Sequence, residues 1–196
     1  KTVFLEGSAH IPMLVRGPED LIPRRISGSV CDEIVCQADL MPTFLSAAGV
    51  SQEQWPTCDG MNLLDVFAGN AQRDTLVGAY SDQFCLLQGD WKYLYSSSGG
   101  GELLFNLAHD PYEQHDLVHV PSHRGQRQAM RAQLAQMLAE SSHKVSDGRE
   151  LKVLAPAPDP AAMIAFAERL RGGGDAPAAQ APPPPSAAPA QAIELP

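Results

Sequence analysis

Hydrophobic positions recur along this chain with two different periods, and the change of period divides it. Residues 11–15 are a short apolar run closed by Arg16, Gly17 and Pro18. An unbroken apolar run between turn residues predicts a strand covered on both faces, as in a parallel sheet. Residues 19–29 are polar and turn-rich and read as a surface loop. In "ADLMPTFLSAAGV", Leu40, Phe44, Leu45 and Ala48 fall on one helical face, with Asp39 as N-cap, Pro42 in the first turn and Gly49 as the stop. "CDGMNLLDVFAG" predicts a turn at Asp59-Gly60 and a short helix ending near Gly69.

From Thr75 the period shortens. "TLVGAYSD", "FCLLQGD", "WKYLYSS" and "ELLFNLAHD" are short and rich in aliphatic and aromatic residues. They are separated by Asp82-Gln83, Gly89-Asp90 and residues 98–101, which predicts an antiparallel meander or hairpin set. "GQRQAMRAQLAQMLAESS" follows as an amphipathic helix with Met130, Leu134, Met137 and Leu138 on one face. A strand group followed by one helix suggests a small α+β layer. After Lys152 the periodicity fades. "DPAAMIAFAERLRGGG" could form an isolated helix, and the Pro/Ala-rich remainder lacks the apolar bulk to offset ordering entropy, so it reads as disordered.

Composition narrows the functional classes. The 196 residues suffice for one domain with a real core, and 44% apolar content suits a globular protein. A net charge of −9 without a basic stripe argues against nucleic acid as a partner. No run approaches a membrane span. No Met, charged leader or apolar h-region opens the chain, so no signal peptide is visible. Cys31, Cys36, Cys58 and Cys85 are too few for a disulfide scaffold and none forms a C-x-x-C pair, although one disulfide is possible. His115, His119 and His123 are spaced i, i+4, i+8, but Pro121 interrupts them, so a metal site is the weaker reading. Trp91, Lys92 and Tyr93 could stack on a substrate, but in an alternating strand they are better read as packing the meander against the helix. Asp39 and Asp59 sit where caps and turns favour Asp.

Four phrases, in order, resemble one family. Lys1-x-x-x-x-Glu6-Gly7 with His10-x-Pro12 resembles the segment that follows the active-site Asp-His-Gly of type I sulfatases. "ADLMPTFLSAAGV" is similar to their D-[LI]-x-P-T-x-L-x-x-A-G phrase, and "CDGMNLLDVFAG" to D-G-x-S-L, with Asn62 in place of Ser. "GDWKYLYSSSGGGELLFNLAHDPYEQHDLV" resembles their closing G-x-W-K-Y…D-P-x-E-x-x-N-L segment, with Phe105 for Tyr and Asp116 for Asn. The likeness covers roughly residues 1–120.

The resemblance implies an α/β class: the C-terminal part of an alkaline phosphatase-like sulfatase fold, with a small antiparallel sheet plus helix subdomain and a disordered tail. The expected divisions are 1–74 for the end of the α/β domain, 75–145 for the small subdomain, 146–171 for a linker and possible short helix, and 172–196 for the tail. It implies that Lys1 contacts the sulfate group, as a compact ammonium facing developing oxyanion charge. Glu6 and His10 are candidates for a supporting layer around the pocket, with a purely structural role the more favoured reading of each.

An intact enzyme of this kind would use a formylglycine made from Cys in C-x-[PA]-x-R and a calcium ion held by Asp with Asn or Gln. None of the four cysteines here has that context, and there is no Asp-Asp pair or Asp-His-Gly. The expectation is therefore a sulfatase portion, inert alone, whose parent takes a sulfated small molecule or glycan and whose missing N-terminal portion is its partner. By resemblance the parent is periplasmic, secreted or lysosomal. A truncated sheet is also expected to leave a raw edge that makes the isolated chain oligomeric or poorly soluble. A phosphate or phosphonate ester hydrolase of the same superfamily and a non-catalytic interaction module are the alternatives.

Overall fold

The computed structural model describes residues 3–22, 26, 28–156 and 159. The organising feature of the unit ending at Ala157 is an antiparallel meander in sequence order. Its strands are β1 (Thr75–Tyr80), β2 (Gln83–Gln88), β3 (Trp91–Ser96) and β4 (Glu102–Asn106). The first two hairpins close through two-residue loops, Ser81-Asp82 and Gly89-Asp90. The leading residue of each is left-handed, with φ 55° at Ser81 and 52° at Gly89, the backbone hand that matches strand twist. The first turn thus lies one residue earlier than the sequence pattern suggested.

Register sorts the side chains onto two faces. One carries the row Val77–Leu86–Tyr93–Leu104 together with Phe84 and Tyr95. Against it packs α4 (Arg124–Met137) through Met130, Leu134 and Ala135, with Val118, Leu138, Val145 and Leu151 completing the core. Each fully buried Leu here contributes about 1.5–3 kcal/mol by removal from water. Met137, expected on this face, is exposed, and Ala135 is buried beside Leu134 and Leu138 instead. Val145, Ser146 and Leu151 return to the core: Lys152 N–H donates to Val145 O at 2.7 Å and Ser146 Oγ to Ala135 O at 2.5 Å. Arg131 ties α4 to the sheet through Glu102 and lies 5.4 Å from the Tyr95 ring centroid.

The other face carries the rows Leu76–Leu87–Lys92–Phe105 and Gly78–Cys85–Leu94–Leu103. The N-terminal segment lies on it. A Cβ at Gly78 would stand 2.6 Å from the Phe4 ring, so only glycine lets that ring settle on the strand. The short α1 (Glu6–Ala9) follows.

Residues 11–15 correct the sequence reading. They form no strand, and Leu14 is 92% exposed. Among the described residues no strand pairs with them, and Pro12 and Pro18 remove backbone donors that a ladder would need. The next elements are α2 (Leu40–Ala47) and α3 (Leu63–Ala68). Here too one expectation fails: Phe44 is 67% exposed, and α2 is instead held through buried Pro42 and Thr43. Thr43 Oγ1 donates to Asp39 O at 2.6 Å and accepts Leu63 N–H at 2.8 Å, which turns that side of α2 towards α3. Asn62 caps α3 by accepting Leu64 N–H at 3.1 Å, the role a Ser would fill, and Gly69 at φ 77° ends it. Helices and an antiparallel sheet thus occupy separate stretches, as expected for the C-terminal part of an α/β sulfatase fold. Among the described residues no helix is long and apolar enough to cross a membrane. The expected helix after Asp159 and the Pro/Ala-rich tail lie outside the described residues.

Candidate functional site

Lys92 stands in an otherwise apolar row of β3, and its side chain is only 3% exposed. An ammonium buried among Leu76, Leu87 and Phe105 stays charged only if acids meet it. Two do. Nζ lies 2.6 Å from Glu6 Oε1 of α1 and 2.9 Å from Glu113 Oε1, the second an ion-pair contact without hydrogen-bond alignment. Glu113 comes from the loop after β4 and is equally buried; its left-handed backbone, φ 55°, aims the carboxylate under the sheet. Its other oxygen accepts the backbone N–H of Glu6. The loop is itself fixed by Asp110, which accepts N–H from Gln114 and His115 at 3.1 and 2.8 Å, and by Asp116, which accepts N–H from Leu104 and Val118 at 3.0 and 2.9 Å.

His10 completes the cluster from one helical turn beyond Glu6. Its Nδ1 is 2.7 Å from Glu6 Oε2, and its ring is 77% exposed while Glu6 is 20% exposed. The structure therefore brings Glu6 and His10 together, with Glu6 bridging a buried cation and a solvent-facing imidazole. Lys1 lies outside the described residues. Lys92 and Glu113 are the members that sequence reasoning missed. Lys92 looked like part of a packing strand, and the signal available was a charge at an inward-facing position of an alternating run.

A second knot explains two of the quoted phrases. Asp39, fully buried, faces Arg73 in a fork: Nη1–Oδ2 2.9 Å and Nη2–Oδ1 2.6 Å. It also accepts Cys36 N–H and Met61 N–H, each at 2.7 Å. Burial pushes the Asp39 carboxyl up, but the Arg73 guanidinium and the two N–H donors outweigh it and hold the group below its usual 3.8. Asp39 occupies the N-cap position of α2, as the sequence reading expected, but its side chain makes no cap bond and is spent on Arg73 and the neighbouring loops. A Cβ at Gly60 would stand 2.1 Å from Ala38 O, so this crossing requires glycine.

The remaining candidates disperse. Trp91 leans on His123, with ring centroids 5.5 Å apart, and Tyr93 is buried in the α4 core, so this stretch packs instead of presenting a platform. His115 is exposed beside Asp110. All four cysteines are free thiols, and burial pushes Cys85 up to about 12. Among the described residues no group of three or more His, Cys, Asp or Glu could hold a metal ion.

No family model matches the sequence. An arylsulfatase of Clostridium perfringens (strain 13 / Type A) is 28% identical over 158 residues, covering 77% of this chain and 32% of that protein. A choline-sulfatase of Rhizobium meliloti (strain 1021) is 29% identical over 128 residues, covering 62% of this chain and 24% of that protein. Among solved structures, a 2-O glycosaminoglycan sulfatase is 24% identical with a TM-score of 0.45, covering 53% of this chain and 24% of that chain. The chain is a relative of the sulfatases that spans 32% or less of the length of the curated proteins it matches.

Proposed function

We propose that this chain forms the C-terminal part of a sulfatase that hydrolyses the sulfate ester of a small molecule or glycan. The likeness to an arylsulfatase over 77% of the chain carries this reading. In it Lys1 contacts the sulfate group. Ester cleavage places negative charge on the oxygens around sulfur, and an ammonium fixed beside them stabilises that charge as it develops.

What the cluster contributes is position. Lys92 and Glu113 grip both the side chain and the backbone N–H of Glu6. The segment running back from Glu6 to Lys1 therefore starts from a fixed point on the small sheet. Glu6 and His10 act as positioning residues. The formylglycine and calcium of an intact sulfatase do not fit the residues described: no cysteine stands in C-x-[PA]-x-R, and no three-ligand acidic or histidine group is present among them. Those groups would come from the remainder of the enzyme, the partner of this chain, and the chain alone would be inert.

The test is turnover by the full-length enzyme containing this chain, assayed with 4-nitrophenyl sulfate and 4-nitrophenyl phosphate side by side, with released anion identified by ion chromatography. Sulfate release is the expected result. Preference for the phosphate ester would reassign it to a phosphate or phosphonate hydrolase, and turnover of neither would leave an interaction module.

A further inference from the structure

We propose that the outer edge of β1 is a pairing site for a second copy of this chain, joining two four-stranded sheets about a two-fold axis at Val77. The strand registers fix which backbone groups are already engaged. The loop Ser81-Asp82 is closed by the Tyr80–Gln83 pair, so Tyr80, Gly78 and Leu76 turn their N–H and C=O groups to β2. Thr75, Val77 and Ala79 turn theirs outward, and among the described residues those groups have no hydrogen-bond partner. The opposite edge of the sheet is closed. There Leu104 N–H donates to Asp116 Oδ1 at 3.0 Å, Leu104 O accepts Leu117 N–H at 2.8 Å, and Asn106 O accepts Asp110 N–H at 2.8 Å. The sheet thus has one finished edge and one open edge.

Open edges are commonly guarded by a proline, a bulge or a charged side chain. β1 reads TLVGAY, has none of these, and pairs with β2 in an unbroken register. Its own outward groups specify the occupant. An edge that offers N–H and C=O at alternate residues pairs with itself antiparallel when those residues stand opposite one another. An axis at Val77 sets Val77 opposite Val77 of the second copy and Thr75 opposite Ala79 of the second copy, and each such pair exchanges two N–H···O bonds. Charge agrees with this register. Asp74 faces Tyr80 of the second copy and Gln72 faces Asp82 of the second copy, so no two like charges meet along the seam of a chain whose net charge is −9. Opposed residues of an antiparallel pair share a face. The row Val77–Leu86–Tyr93–Leu104 therefore continues across the axis into its copy, with both α4 helices on one side.

The experiment is sedimentation-velocity analysis of the full 196-residue chain over a concentration series, with residue-resolved amide hydrogen exchange at its two ends. A monomer–dimer equilibrium is expected, with exchange at Thr75, Val77 and Ala79 slowed about tenfold or more in the dimer. Ala79→Pro deletes an outward N–H that β2 does not use, so each copy loses one seam bond. It should weaken dimerisation about tenfold or more while the monomer stays folded. Leu14→Ser, in the exposed run 11–15, should leave dimerisation unchanged. Should Ala79→Pro fail to fold, Thr75→Pro at the first residue of the strand carries the test. A chain that stays monomeric at every concentration overturns the proposal and leaves the edge to a strand from the remainder of the enzyme. So does a dimer whose outward β1 amides exchange at the monomer rate, one that Ala79→Pro leaves intact, or one that Leu14→Ser abolishes. None of these outcomes bears on ester turnover by the full-length enzyme.

Discussion

Lys92 Nζ sits 2.6 Å from Glu6 Oε1, joining the third strand of the small sheet to the first helix across 86 positions of sequence. Glu113 meets the same ammonium from the other side at 2.9 Å. Two of the four sulfatase-like phrases, the first through Glu6 and the last through both its W-K-Y and D-P-x-E parts, thereby converge on a single buried charge. Lys92→Met removes the cation and strands two carboxylates, so it should cost about 3–5 kcal/mol of stability in urea unfolding. A loss below about 1 kcal/mol, the value of a surface pair, would show that the cluster does not hold the N-terminal segment.

The Asp39–Arg73 fork predicts an acid limb. The Asp39 carboxyl is held below its unfolded value, so its contribution is complete above about pH 4 and disappears as pH falls through the lowered folded value. Asp39→Asn should be less stable at neutral pH by about 3–5 kcal/mol and should lose less stability than the parent chain below pH ~4. Parallel stability–pH curves for the two would assign the acid limb to another carboxylate.

Gly60→Ala places a methyl group 2.1 Å from Ala38 O, a contact that only backbone movement relieves. Overpacking of this kind costs about 1–3 kcal/mol, and a thermal melt should register it as a lowered Tm. Gly125→Ala, where a Cβ meets nothing within 4 Å, is the control and should be neutral or slightly stabilising.

The free thiols should separate by reactivity. Cys31 is exposed, whereas burial holds Cys85 in its protonated form with a value near 12. A disulfide-exchange reagent at pH 8 should label Cys31 first and reach Cys85 only on unfolding. Labelling of Cys85 at the Cys31 rate would mean that the second face of the sheet opens readily.

The meander and α4 were legible because their signals are local: alternation, turn residues and a helical apolar face each lie within a few residues. The fate of residues 11–15 was only partly legible: Pro12 removes a ladder donor, but whether an apolar run becomes a strand also depends on a pairing partner that its own residues do not encode. Phe44 misled for a related reason. Helical spacing sets which residues share a face, but the Thr43 bonds to Asp39 and Leu63 set which face turns inward.

The candidate site was half legible. Glu6 and His10 were singled out and are in contact, but Lys92 and Glu113 are brought to them only by tertiary structure. The same holds for Asp39: a cap by local rules, it becomes the acceptor of an arginine 34 residues away. The return of Val145, Ser146 and Leu151 to the core likewise carries no periodic signal.

The most direct measurement is the steady-state hydrolysis of an aryl sulfate by the full-length enzyme containing this chain, with and without Lys1→Met. The account predicts that the substitution lowers kcat/KM by about 10²-fold or more, chiefly through kcat, while the thermal midpoint is unchanged. Equal kcat/KM in the two proteins would contradict the central claim that this chain brings the sulfate-contacting lysine to the active site.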